Sequence, residues 1–167
     1  MGLLGGAVSA LLSAGVFYAD QKLKRKSEDH ELPSQGTGNA RQPYFSNYHN
    51  HGAALNLGEK NPVIVTTLAL SLSVFCTLLF LFTLGKKGGG LLQAGLAVLL
   101  GGAYSNLYDR LKRDYVVDYI ALHLPGNGIR AAGGGRIREL VLNLADIAVA
   151  IGAVMLMVHN ARDEEKA

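Results

Sequence analysis

Four stretches of this chain, Gly2–Ala19, Pro62–Leu84, Leu91–Leu107 and Leu140–Val158, hold most of its apolar residues and a single charge, Asp146. Each is about long enough to cross a hydrocarbon core of roughly 30 Å at 1.5 Å per residue. Inside lipid such a run must be helical, because only a helix satisfies its own backbone. Gly5, Gly6, Ser9, Ser13 and Gly15 would weaken a soluble helix but suit close packing between membrane helices. The expectation is an all-α membrane protein of one domain, residues 1–167, with four transmembrane helices. The first run reads as a span rather than a cleaved leader, since only the amino terminus stands where a leader carries basic residues.

The connections divide the chain further. A long loop, 20–61, opens polar and aperiodic in "KSEDHELPSQGTGNARQ", which reads as mobile. It continues as "PYFSNYHNHGAALNLG", where aromatic residues suggest short strands. The turn "GKKGGG" joins the second and third runs, and a second long loop, 108–139, contains "GNGIRAAGGG". Gly126 and Gly128 weakly resemble a dinucleotide fingerprint, but no strand–helix context supports it, so the stretch reads as linker. Four spans with these connections put both long loops on one side and both termini on the other. The long-loop side carries twelve Lys/Arg and the other side four. Taken alone, that bias places the long loops in the cytoplasm.

The net charge of +3 suits anionic lipid headgroups before nucleic acid, and Lys22, Lys24, Arg25 and Lys26 stand just past the first run. The single cysteine, Cys76, lies mid-run, where a small buried hydrophobe is expected.

Chemistry concentrates in the aspartates. Asp146 sits about two turns into an apolar run, and a carboxylate there is either functional or held at a helix start by the dipole. Asp118, wrapped by Val116, Val117, Tyr119 and Ile120, follows the third run as Asp146 opens the fourth. Both therefore belong to the same side at similar depth. Two carboxylates in a semi-apolar site share a proton, because both cannot easily ionise, and aspartic proteases use such a pair. The topology permits the two to meet without requiring it. His49 and His51 in "HNH" would share a strand face, but no third metal ligand stands at a suitable spacing. Neither a nucleophile elbow nor an H-E-x-x-H motif is present in the sequence.

These residues also resemble a family. "GGAYSNLYDRLKRDYVVDYI" is similar to the third-span motif of bacterial signal peptidase II, roughly GGAxGNxxDRxxxGxVxDF. "LNLADIAVAIG" resembles the fourth-span motif FNxADxxIxxG, "NHGAAL" resembles NxGAAF, and "DQKLK" resembles DQxTK. All four occur in the family's order. Four departures stand out: Ser105 and Asp114 replace glycines, Leu55 replaces Phe, and Leu23 replaces Thr.

The resemblance implies an intramembrane aspartyl endopeptidase with a small strand-containing extracytoplasmic loop. It would remove the signal peptide from diacylglyceryl-modified prolipoproteins, cutting just before the modified cysteine. By position, Asp118 and Asp146 become the catalytic pair. Asn50, Arg110 and Asn143 fall where substrate is held, and Asp20, Lys24, Asn106 and Asp109 on supporting positions. No metal or cofactor is implied. The expected partners are prolipoproteins and membrane lipids, not nucleic acid. The expected location is the bacterial inner membrane, with cytoplasmic termini and the site near the extracytoplasmic face, against the Lys/Arg bias. The alternatives are a non-catalytic membrane binding or assembly protein of the same fold and a proton-coupled transporter; for the latter no internal repeat is visible.

Overall fold

The structure, a computed structural model, describes residues 2–33, 43–53, 57–84, 90–124, 129–130, 136–137 and 139–164. The polar stretch 34–42, Leu55, the turn 85–89 and most of the glycine-rich stretch 126–135 lie outside the described residues.

Four helices account for the apolar runs: α1 (Gly2–Glu28), α2 (Pro62–Thr83), α3 (Gly90–Arg113) and α4 (Leu144–Glu164). Three of them, over Pro62–Thr83, Gly90–Arg113 and Leu144–Arg162, are long and apolar enough to cross a membrane. Pro62 opens α2, where a missing N–H costs nothing. α2 exposes Val63, Ile64, Leu68, Leu72, Phe75 and Phe82. An apolar surface of this extent is unfavourable in water and suits lipid.

α3 is the central helix and packs against the other three. Close approach is built into its glycines. A Cβ on Gly102 would collide with the Ala145 carbonyl oxygen, and one on Gly101 would meet the Ser13 carbonyl oxygen at 2.6 Å. Only glycine lets α4 and α1 come that near.

Several helix boundaries differ from those expected from sequence, three of them with a clear cause. α1 continues past Ala19 to Glu28, because Asp20, Gln21 and Lys24 turn inward onto α3 while Lys22 and Arg25 stay exposed. α3 continues past Leu107 to Arg113 and closes where the Asp114 N–H donates to the Arg110 carbonyl at 3.2 Å. Asp114 has φ 61, a left-handed conformation that aspartate tolerates better than most L-residues. That explains why glycine suits this place in the quoted motif. α4 starts at Leu144 rather than Leu140, because residues Glu139–Leu142 form a strand.

Both long loops contribute strands. β1 (Tyr44–Asn50), β2 (Val116–His123) and β5 (Glu139–Leu142) form an antiparallel sheet in the order β1-β2-β5. Tyr48 pairs with Asp118 and Ile120 with Leu142. β3 (Ile129–Arg130) pairs antiparallel with β4 (Arg136–Ile137), so two residues of the stretch expected to be linker are strand. The aromatic residues of the first long loop predict strands; the second loop carries no such signal and forms strands by pairing with β1 and with itself.

Candidate active site

The first turn of α4 builds one half of the site. Asn143 immediately precedes the helix, and its Oδ1 accepts from the Asp146 N–H at 2.9 Å. In return the Asn143 N–H donates to Asp146 Oδ2 at 3.1 Å. This reciprocal pair is an Asn–Asp version of the capping box, and it fixes the carboxylate against its own helix terminus. Asp146 Oδ1 accepts from Asn106 Nδ2 of α3 at 2.8 Å.

Strand β2 supplies the other half. Asp118 is buried, with 2% of its surface exposed. Its Oδ1 accepts from Asn143 Nδ2 at 2.7 Å and its Oδ2 from Asn50 Nδ2 at 3.0 Å. Asn143 therefore touches both carboxylates, and Asn50 arrives from the end of β1. Burial, and next the charge of Asp146, push the Asp118 carboxyl up to about 7, against the opposing hydrogen bond from Asn50. One proton held between two acids near neutral pH suits general acid–base work on a carbonyl.

Arg110 approaches from α3. Its Nη2 donates to the Gly52 carbonyl at 2.8 Å and its Nη1 to the Asn106 carbonyl at 3.2 Å. Its Nε is buried without a partner, a donor left free beside the site. α3 ends at Arg113 and the chain continues into β2, which carries Asp118.

Beneath this lies a buried ionic layer. Lys24 Nζ contacts Asp20 Oδ2 at 2.8 Å and Asp109 Oδ2 at 2.9 Å, with all three side chains fully buried. It also donates to Asn106 Oδ1 at 2.8 Å, which itself accepts from Asn143 Nδ2 at 3.0 Å. The chain Lys24–Asn106–Asp146 thus links α1, α3 and α4. Removing one partner of such a buried charge group typically costs about 3–5 kcal/mol, because it strands the others.

Asp20 also reaches α4 directly. Its Oδ1 accepts from the Ala145 N–H at 3.1 Å and from the Tyr119 hydroxyl at 2.9 Å. The Tyr119 oxygen accepts from the Leu144 N–H at 3.0 Å. Two otherwise unfilled donors of the α4 terminus are satisfied from outside the helix. Burial and the Asp20 charge raise the Tyr119 phenol well above its usual range, so it stays a donor.

All nine site residues expected from sequence fall within this assembly: Asp118, Asp146, Asn50, Arg110 and Asn143 around the carboxylates, Asp20, Lys24, Asn106 and Asp109 below them. Three further residues escaped the sequence reading. Gln21 Nε2 donates to Asp109 Oδ1 at 3.1 Å and to Ser105 Oγ at 3.0 Å, and Ser105 Oγ donates to Asp20 Oδ2 at 2.6 Å. Tyr119 is the third. Helical spacing was the available signal for Gln21, since it shares an inward face of α1 with Lys24 once the helix is continued past Ala19.

His49 and His51 stand apart. His49 Nε2 lies 2.7 Å from Glu28 Oε1, and its ring stacks on Tyr115 at 4.1 Å. Among the described residues no three His, Cys, Asp or Glu side chains gather as metal ligands.

Comparison with known proteins agrees with this architecture. A family model described as signal peptidase (SPase) II matches residues 12–162. A lipoprotein signal peptidase of Clostridium tetani is 25% identical over 120 residues, 72% of this chain and 70% of that protein. One from Pseudomonas aeruginosa strain UCBPP-PA14 is 40% identical over 80 residues, 48% of this chain and 42% of that protein. One from Acinetobacter baylyi is 31% identical over 112 residues, 66% of this chain and 57% of that protein. The matched stretch thus spans about half the length of the latter two relatives. A solved bacterial membrane enzyme, determined by the in meso method at 2.3 Å resolution, superposes with TM-score 0.68 at 18% identity, covering 96% of this chain and 91% of that one. Another, at 1.9 Å, gives 0.66 at 20% identity, covering 94% of each chain. Those two likenesses show the fold.

Proposed function

This chain belongs to the signal peptidase II family, and from that premise we propose that it is an intramembrane aspartyl endopeptidase removing signal peptides from diacylglyceryl-modified prolipoproteins. The cut falls just before the lipid-modified cysteine. The observation that carries this reading is the side chain of Asn143, which touches both Asp118 and Asp146.

In the proposed reaction one aspartate is ionised and the other holds a proton. The ionised carboxylate takes a proton from a water molecule, whose oxygen bonds to the scissile carbonyl carbon. The protonated carboxyl gives its proton to the carbonyl oxygen, forming a neutral tetrahedral diol. Collapse of the diol breaks the C–N bond, the amine leaves with a proton, and the dyad again holds one. Asn50 and Asn143 hold the Asp118 oxygens in place, and the free Arg110 Nε donates to substrate. Asp20, Lys24, Asn106 and Asp109 support the dyad from below. The chemistry requires neither metal nor cofactor.

We place the chain, as one domain over 1–167, in the bacterial inner membrane with four spans. α1 is the fourth, and its inward-turned polar end explains why its last turns read as loop. Both termini are assigned to the cytoplasm and the three-stranded sheet to the extracytoplasmic face. A lipid-anchored substrate can then enter sideways. The partners are prolipoproteins and membrane lipids, with no role for nucleic acid.

The test is cleavage of a lipid-modified prolipoprotein by purified protein. Asp118→Asn and Asp146→Asn should each abolish turnover while the protein stays folded and membrane-inserted. Substantial turnover by either variant removes the dyad mechanism, and an inactive parent protein favours the non-catalytic alternative.

A further inference from the structure

α1 carries an outward stripe that the proposed reaction does not use. Leu11, Gly15, Tyr18, Lys22 and Arg25 recur at helical spacing of three and four, so they share one face. Leu11 is 73% exposed and Tyr18 68%. Nothing lies within 4 Å of where a Gly15 side chain would begin, which leaves a notch between them. The stripe therefore runs from an apolar surface with a groove to an exposed pair of cations.

At its polar end a cavity of about 270 Å³ opens between α1 and α3. Phe17 and Tyr18 line its apolar side, Tyr108 of α3 closes it, and Lys22 and Arg25 stand at its mouth. Lys26 and Asp29 complete the rim, so the charged side chains there sum to a net positive site. Among the described residues, Lys22 and Arg25 take part in no ion pair, whereas Lys24 between them is fully paired inside.

The inner wall of the cavity is Gln21. It is 4% exposed, and its Oε1 is buried without a hydrogen-bond partner. Its Nε2 is already used on Ser105 and Asp109.

We propose that the cavity between α1 and α3 binds one anionic phospholipid, with its phosphate on Lys22 and Arg25, its headgroup against Gln21 and an acyl chain along Tyr18, Gly15 and Leu11. The pairing of two unengaged cations with an apolar groove is what a phosphate joined to a hydrocarbon chain complements. A zwitterionic headgroup brings its own cation into a site that already has an excess. The inference rests on α1 lying in lipid, and not on the protease reaction.

The full-length protein in nanodiscs of phosphatidylcholine and phosphatidylglycerol, released into native mass spectrometry, tests this. One phosphatidylglycerol per chain should be retained in preference to phosphatidylcholine. The double variant Lys22→Gln/Arg25→Gln should reduce that preference roughly thirtyfold, as expected for two surface cations. A control, Lys60→Gln/Arg162→Gln, removes the same charge elsewhere and should leave it unchanged. Equal losses in both variants would mean diffuse surface charge and would overturn the site. Displacement of the lipid by inorganic phosphate would make it a free-phosphate site and overturn the lipid assignment. Leu11→Trp places a single tryptophan on the stripe, since the chain has none. Its fluorescence should be quenched by brominated acyl chains; without quenching, α1 is not a span and the lipid site falls with it, while the cleavage assay stands independently.

Discussion

Asn143 donates its side-chain amide to Asp118 at 2.7 Å while its own backbone and side-chain oxygen cap the helix that carries Asp146. One residue thus sets the spacing of two carboxylates that lie on different elements. Asn143→Ala should lower cleavage on the order of a hundredfold, the scale seen when one preorganised donor is removed from a reaction centre. Asn143→Ser should restore the cap, worth about 1 kcal/mol, without reaching Asp118. Thermal unfolding and cleavage rates measured on both variants separate the two effects, and full activity in the Ser variant would leave Asn143 as a cap alone.

The Asp118 carboxyl, raised to about 7, makes stability depend on pH. Between its ordinary value and about 7 the folded protein holds a proton that the unfolded chain has lost, so stability falls as pH rises through that window and levels off above it. Asp118→Asn mimics the protonated form. It should match the parent at about pH 4 and be the more stable of the two at about pH 8. Melting temperatures in detergent at the two pH values read this directly. The parent's cleavage rate should decline above about 7, as the shared proton is lost.

Arg110 donates Nη1 to the Asn106 carbonyl of its own helix, ties α3 to Gly52 beyond β1 through Nη2, and keeps Nε free. Lysine preserves the charge but not the planar fork. Arg110→Lys should therefore lose at least about tenfold in cleavage, close to the loss in Arg110→Ala, a difference of roughly 1.4 kcal/mol or more. Near-normal turnover in the lysine variant would leave Arg110 as a tie between α3 and Gly52 alone.

Asp114 ends α3 in a left-handed conformation, which costs an L-residue roughly 1–2 kcal/mol. Its negative charge also stands at the negative end of the helix. Asp114→Gly should stabilise the protein by about 0.5–1 kcal/mol and leave cleavage intact. A lower melting temperature for this variant would show that the aspartate side chain stabilises the helix end by more than its backbone conformation costs.

The twelve Lys/Arg of the long-loop side compete with the proposed orientation. In a Cys76→Ala background, Glu31→Cys should react with an impermeant thiol reagent in intact cells, and Arg162→Cys should not. Reversed labelling would put the sheet in the cytoplasm.

Much of this protein was legible in its sequence. Uncharged runs dictated helices because lipid offers a backbone no other partner, and a carboxylate such as Asp146 inside one of them stood out by its cost. Other features were hidden for stated reasons. β2 lacks the alternation that marks a strand, because both of its faces are covered from Val116 to Tyr119. The end of α1 resembled a solvated charged loop because Asp109, which completes the Asp20–Lys24 pair, is far away in sequence and reaches it only once α1 lies against α3. Run length and charge placement were enough to mark the membrane helices and the expensive acids. The sharing of Asn143 by Asp118 and Asp146 came from packing, because hydrogen bonds between a strand and a helix terminus depend on where the glycines of α3 allow α4 to pack.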